Sequence, residues 1–535
     1  MKGMKVKKST RRDELIKFLE NKSSYPHNPK SLKHIQTHAS DVFIVPPYVY
    51  KVKKSVNLRF LDFSTLSKRK HFCEIEVELN RRLSEGIYLG VEKISRKNGK
   101  LIFGRGEKVV EYAVKMKRLP EKYFIKNLLK KGLVSRRDFA GIVKRLVTFY
   151  KDQPSITDIK NYGSPESIKF TIDENLELTK KFINKTISSQ CYGAIKLYNE
   201  LYFKKYSKLF KKRIQLGFIK DCHGDLHLEH INLAPGRLNI FDCIEFNNRF
   251  RYIDIASDLA FLAMDLDFNG YRKYSDFVIS EFSKRIKDKT IYEIIDFYKC
   301  YRAYVRGKVE SIRCQSKDVS EKDRKISFIR AKKYFNLALR YSLFGSKPFV
   351  IVVFGLIGTG KSTIAKLLAE ELSAVVVSSD KVRKEITSTK LTERKFKGYS
   401  KGIYTSNITN KTYKELLRRG IKEINNGNNV ILDASYSKKL FREMVKAKAK
   451  QHNVSLLFIE TSASKNTIRK RLLERERKKT ISDARWEIFE DFKKQYEKPE
   501  DLNKNIYLKI NTNKNKEETV DKTFKKLINM MNFKH

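Results

Sequence analysis

The feature that most constrains this chain is the segment GLIGTGKST, from Gly355 to Thr363, set between the apolar run FVIVVF and the helix-forming run TIAKLLAEEL. Gly355, Gly360, Lys361 and Ser362 fit GxxxxGK[ST], in which glycines let backbone N–H groups wrap a phosphate chain and the next helix offers its positive end. Lys361 is placed to neutralise the terminal phosphates and Ser362 to meet magnesium, with Gly358 and Thr363 completing the loop. ATP and Mg2+ are therefore expected here. A strand feeding such a loop implies a parallel α/β sheet. Further apolar runs recur at helix-length intervals: Ala374 to Ser378, NVILDAS from Asn429 and SLLFIET from Ser455.

Ligands bind outside the carboxyl ends of the strands in such sheets, which directs attention to the strand exits. SSDKVRKEI places Asp380 and Arg383 there, Asp380 where it can take a proton from a substrate hydroxyl. VILDASY places Asp433 where a carboxylate can hold magnesium or its water shell. A helix cap or turn former is the other reading of each aspartate. In IRKRLLERERKK, Arg471 and Arg475 are four apart on one helix face, as a closing lid for the transferred phosphoryl group requires, although charged faces are commonly just solvated.

The first 345 residues follow another pattern. SDVFIVPPYVYKVKKS, from Ser40, reads as two strands joined at Pro46 and Pro47. HFCEIEVELNRRL, from His71, reads as an amphipathic helix, and IYLGVEKI and VVEYAVKM as further strands before a mostly helical stretch beyond Pro120. Helices from Tyr271 to Tyr341 are expected to close this first unit, with LFGSKP as the boundary, giving domains 1–345 and 346–535. At 535 residues, two domains suit the size at which single cores stop growing.

Lys and Arg outnumber Asp and Glu by 114 to 61, a net charge of +53 that favours phosphate-rich partners, nucleotides or nucleic acid. The lysines are spread along the chain rather than confined to one arm, so compositional bias is the other reading of the charge. The longest apolar candidate, PFVIVVFGLIG, falls short of the roughly 18 residues of a membrane span, and the N-terminus lacks a leader pattern, so a cytoplasmic chain is expected. The six cysteines are scattered without a CxxC pair, arguing against a zinc site or disulfide framework.

GLIGTGKST, SSDKVRKEI, VILDASY and SDARWEIFE resemble segments of the P-loop kinase group that includes polynucleotide kinases and zeta-toxin-like small-molecule kinases. There, an aspartate placed like Asp380 activates the acceptor hydroxyl. HGDLHLEHIN, from His223, followed by LNIFDCIEF, from Leu238, resembles the catalytic loop and metal-binding segment of aminoglycoside phosphotransferases and their protein-kinase-like relatives. That resemblance implies that Asp225 takes the acceptor proton and Asp242 holds magnesium, and that Asp254 and Asp258 of YIDIASDLAFL brace the loop. It also implies a strand lysine for the phosphates and a helix glutamate to orient it, assigned to Lys51 with Glu76, and a hinge at YAVKMKRLP. Together the halves resemble a bifunctional family joining an aminoglycoside-phosphotransferase-like domain to a P-loop kinase-like ATPase domain. The fold implied is a two-lobed α+β kinase-like domain followed by an α/β P-loop domain.

One departure stands out. Five residues after the catalytic aspartate the family has a metal-binding asparagine, and this chain has His230, with Asn232 two residues on. Imidazole suits softer divalent ions than Mg2+, so three readings stay open: a preference for Mn2+, use of Asn232, or loss of catalysis. The expected function is transfer of the ATP γ-phosphoryl group, from two nucleotide sites, to a hydroxyl of a small molecule. A nucleic-acid 5′-hydroxyl kinase and a nucleotide-gated regulatory ATPase are the alternatives.

Overall fold

Two prolines, Pro46 and Pro47, separate the strands β2 (Ser40–Val45) and β3 (Tyr48–Lys53), which continue a sheet begun by β1 (Lys33–Gln36). The sheet is completed by β4 (Tyr88–Lys97), β5 (Lys100–Phe103) and β6 (Lys108–Lys117), in the order β1-β2-β3-β6-β4-β5, antiparallel throughout. Side chains alternate between its faces. Tyr50 and Val52 therefore enter a core with Tyr25, Phe43 and Ile94, while Lys51 and Lys53 point to the other face. There the helix Leu66–Arg81 packs. Thr65 caps it by accepting from the Lys68 N–H at 3.2 Å, so it begins five residues before the expected His71. The helix buries Cys73, Glu76, Val77 and Asn80, which brings Glu76 under the two lysines. The described residues are 4–58, 60–153, 156, 158–316, 319–390, 402–476 and 484–531 of this computed structural model.

Beyond β6 the chain turns helical. The helix Arg136–Lys151 starts in a capping box between Ser135 and Asp138 and packs on the helix Arg272–Ile286, which packs in turn on Ile255–Phe268. Short strands β7 (Ile219–Asp221), β8 (Ile231–Ala234), β9 (Arg237–Ile240) and β10 (Tyr252–Asp254) form two ribbons, β7 with β10 and β8 with β9, that present the loops between them.

A second sheet is made of β11 (Phe349–Phe354), β12 (Ala374–Ser378), β13 (Asn429–Asp433), β14 (Ser455–Ser462) and β15 (Tyr507–Asn511), all parallel, in the order β12-β13-β11-β14-β15. The central β11 is buried at every position, as a strand covered on both faces must be. Val350, Val352 and Phe354 pack with Tyr413, Leu416 and Leu417 of the helix Ser406–Asn425. Among the described residues no helix is long and apolar enough to cross a membrane.

The chain divides into two compact units, one of residues 1–168 with 209–291 and the other of 169–208 with 292–535. This partition differs from the sequence boundary at 345/346. Helices Ile291–Gln315 and Glu321–Phe344, expected to close the first unit, lie almost wholly within the second. The reason is packing: the Asn336 amide donates to the Glu370 carbonyl at 2.7 Å, Phe344 stacks on Phe349 at 4.3 Å, and Lys299 donates to Ser346 at 2.7 Å. A breaker segment such as LFGSKP ends a helix without ending the unit to which that helix belongs.

Candidate functional site

In the second unit the loop after β11 turns through left-handed backbone at Gly358 (φ +76°) and Gly360 (φ +89°), conformations that glycine adopts without strain. A Cβ on Gly355 would lie 2.5 Å from the Thr461 carbonyl, so this glycine lets the loop press against the end of β14. Lys361 opens the helix Lys361–Leu372, and its ammonium curls back to donate to the Leu356 carbonyl at 2.9 Å. Burial brings its pKa down to about 8, against the pull of Asp433 and Asp380, with Arg475 adding to the fall. Asp433, at the end of β13, is pushed up by burial and held back by a hydrogen bond from the Ser362 hydroxyl and by Lys361. Hydroxyl and carboxylate oxygens are the donors that Mg2+ takes, so the pair fits that ion.

These groups line a cavity of about 840 Å³. Gly358, Gly360, Lys361 and Ser362 form one wall, and Asp380, Arg383, Asp433 and Arg475 stand around it. Thr363 is exposed and, like Gly355, outside the lining. The two arginines expected to share a lid role are separated. Arg475 lines the cavity, whereas Arg471 donates to the hydroxyl of Thr512 at 3.0 Å and to its carbonyl at 2.6 Å. Thr512 in turn donates to the Thr359 carbonyl at 2.8 Å, so Arg471 braces the loop. Of SDARWEIFE, Ser482 and Asp483 lie outside the described residues, while Arg485 and Ile488 join the cavity wall.

In the first unit a cavity of about 460 Å³ is lined by Lys51, Asp225 and Asp242 together with apolar Val42, Val49, Met116, Leu119 and Phe241. Lys51 stands 2.7 Å from Asp242 and 2.8 Å from Glu76, and Lys53 lies 2.6 Å from the other Glu76 oxygen and against Glu245. Only Lys51 reaches the cavity; the Lys53 side chain is fully buried. Burial alone would lower the Lys51 pKa, but Asp242, Glu76 and Glu245 raise it well above the usual value. Desolvation likewise works against the ionised Asp242, and Lys51, followed by His230, holds its carboxyl below the ordinary range.

The loop that carries Asp225 is held from behind. Asp258 accepts the N–H groups of His223 (2.8 Å) and Gly224 (2.9 Å) and the Tyr150 hydroxyl (2.8 Å), and Asp265 accepts the Leu228 N–H at 3.0 Å. Asp254 braces differently, capping the helix Ile255–Phe268 at Ala256 and pairing with buried Arg213. Gly224 (φ +84°) tolerates no side chain, since a Cβ would meet the Phe250 carbonyl at 2.8 Å. His230 stands beside Asp242, Nε2 to Oδ2 3.3 Å, with its pKa brought down to about 4 by burial and then by His227. The Asn232 amide faces the Pro120 carbonyl at 3.3 Å instead.

Three residues of this cleft escape sequence reasoning. Glu245 pairs with Lys53, the Tyr88 hydroxyl accepts the Asp242 N–H at 3.2 Å, and His227 lies 3.4 Å from Asp225. Only for His227 does the sequence carry a signal, its place two residues after Asp225.

The second unit is a P-loop domain, with a glycine-rich loop and lysine at the carboxyl end of the central strand of a parallel sheet, and the first is an α+β unit with an antiparallel sheet followed by helices. Residues 350–499 match the family model described as AAA domain. The chain is 30% identical over 442 residues to the uncharacterized protein Rv2004c of Mycobacterium tuberculosis, covering 82% of this chain and 85% of the relative. The match to the uncharacterized protein Mb2027c of Mycobacterium bovis has the same extent. The chain belongs to the family of these mycobacterial proteins.

Similar solved structures fall into two groups. A gluconokinase from Sinorhizobium meliloti 1021 is 15% identical, covering 35% of this chain and 94% of its own, with a TM-score of 0.26. The GDP complex of aminoglycoside 2'-phosphotransferase-IIIa is 11% identical, covering 60% and 98%, with a TM-score of 0.35. A choline/ethanolamine kinase family protein from Mesorhizobium loti is 11% identical, covering 61% and 99%, with a TM-score of 0.33.

Proposed function

We propose that the protein transfers the ATP γ-phosphoryl group to a hydroxyl of a small molecule, with a nucleotide site in each unit. The observation that carries this reading is that Lys361 and Asp380 line one cavity of about 840 Å³, with phosphate-neutralising and proton-accepting groups facing a common space. Asp380 takes the acceptor proton, the acceptor oxygen attacks the γ-phosphorus, and the bond to the β-phosphate oxygen breaks to release ADP. Lys361 and Arg475 stabilise the charge on the phosphoryl oxygens. Ser362 and Asp433 would hold Mg2+, which would supply further neutralisation of the phosphates. In the first unit Lys51, Asp225 and Asp242 support the same division of roles, with the apolar wall suited to an adenine ring.

The test is ADP release with pools of hydroxylated metabolites, nucleosides and 5′-hydroxyl oligonucleotides. Asp380→Asn, which keeps the shape and removes the base, is expected to cut acceptor-dependent release about 10²–10⁴-fold. Asp225→Asn reports the first unit in the same assay. ATP binding without stimulation by any pool would replace the transferase reading with a nucleotide-gated regulator. The net charge of +53 favours a second reading, a nucleic-acid 5′-hydroxyl kinase. Oligonucleotide affinity falling steeply with salt, through counterion release, separates it from the first.

Lys361 adds a pH dependence. Its pKa of about 8 rises when a phosphate partner arrives, so nucleotide binding favours the protonated lysine. Affinity is expected to be flat below about pH 8 and to fall by up to about tenfold per pH unit above it, with proton uptake on binding. Calorimetric titration from neutral to alkaline pH, in buffers of different ionisation heat, reads both quantities. Constant affinity with no proton uptake would contradict the assignment.

A further inference from the structure

The metal chemistry of the first unit turns on His230. Its Nδ1 lies 2.9 Å from the backbone carbonyl of Asp225. A carbonyl only accepts, so this ring nitrogen carries the proton and the Nε2 of the neutral ring presents a lone pair. That lone pair faces Asp242 Oδ2 at 3.3 Å, and two acceptors cannot bond to each other. A cation between them satisfies both: with donor atoms about 2.1 Å from the ion, a 3.3 Å separation subtends roughly 100° at the metal.

The surroundings suit an ion. Lys51 occupies the other oxygen of Asp242, Oδ1, at 2.7 Å, which leaves Oδ2 for a second partner. Asp225 Oδ2 lies by the other edge of the imidazole, 3.6 Å from Nδ1. His227 Nδ1 accepts the Glu229 N–H at 3.3 Å, so its ring proton sits on Nε2 and points toward Asp225 Oδ2 at 3.4 Å. A histidine ligand whose second nitrogen donates to a backbone carbonyl, beside an oriented carboxylate, is the usual outer arrangement of a protein metal centre. Asp225 and Asp242 both line the cavity, which supplies the entry path.

We propose that this cleft holds a divalent transition-metal ion, of the Mn2+, Co2+ or Zn2+ class, on His230 Nε2 and Asp242 Oδ2. An imidazole nitrogen beside a carboxylate raises affinity for such ions over Mg2+, which takes oxygen alone. The inference deepens the reading of the first unit as a nucleotide site but needs no turnover there. Metal binding tests the one and ADP release tests the other.

The experiment uses the full chain without nucleotide. Mn2+ is titrated while its free signal is followed by electron paramagnetic resonance, and the bound ion is examined for nitrogen coupling in the echo modulation. One Mn2+ per chain is expected, carrying an imidazole-nitrogen signature, with Mg2+ a poor competitor. H230N, which substitutes an amide, should remove the nitrogen signature and weaken Mn2+ binding about tenfold or more. Bound Mn2+ without nitrogen coupling, or Mn2+ and Mg2+ competing as equals, overturns the proposal and leaves a bare His230–Asp242 pair. The wild-type spectrum decides this even where H230N fails to fold.

Discussion

Replacing Lys361 by alanine is expected to lower ATP turnover by about 10²–10³-fold, the usual cost of deleting one preorganised donor to transition-state charge. The fold should survive. The ammonium makes one hydrogen bond, to the Leu356 carbonyl, and burial already works against its charge, so its loss removes a desolvation penalty along with that bond. Single-turnover ADP release and a thermal melt on the same sample separate the two effects. Full turnover in Lys361→Ala would move the chemistry away from the P-loop and leave the first unit as its only seat. Loss of turnover together with collapse of the melt would make Lys361 a structural residue.

A second large effect is expected at Arg213, which lies outside the lining of both cavities. Its guanidinium is fully buried, 2.5 and 2.8 Å from the two oxygens of Asp254, 2.7 Å from Asp288 and 2.6 Å from the Thr290 hydroxyl. Arg213→Ala strands two buried carboxylates, a loss of about 3–5 kcal/mol against a typical domain stability of about 5–15 kcal/mol. Arg213→Lys should rescue little, since an ammonium cannot reproduce the planar fork. The damage should spread, because Asp254 caps the helix that carries Asp258 and Asp265, and these two hold the Asp225 loop. Chemical denaturation reads the stability change, and Mn2+ binding reports the loop. A midpoint unchanged from wild type would mean that the cluster contributes no net stability.

Motifs contiguous in the chain were legible before any coordinates. The P-loop chemistry is local: glycines, a lysine and a serine at set spacing between a strand and a helix need no distant partner to be recognised. The same holds for HGD with its following aspartate, and for the hairpin at Pro46 and Pro47. Lys51 and Glu76 were paired on the resemblance to a kinase small lobe, and they lie 2.8 Å apart. The strands β1, β5 and β15 were missed because they are short, lie at or near sheet edges and carry little apolar periodicity.

What only the tertiary structure decided are matters of who stands beside whom. Helical spacing puts Arg471 and Arg475 on one face, yet Thr512, at the end of an unforeseen strand, draws one guanidinium into bracing and leaves the other in the cavity. Glu245 and Tyr88 reach the first site from distant segments, and helices 291–344 joined the second unit through packing that no local pattern encodes. Sequence alone determined the loops and the reactive groups they carry, because backbone conformation and side-chain chemistry are local properties. Charge pairing, burial and the facing of His230 toward Asp242 arise from contacts between residues far apart in the chain, and folding alone creates those.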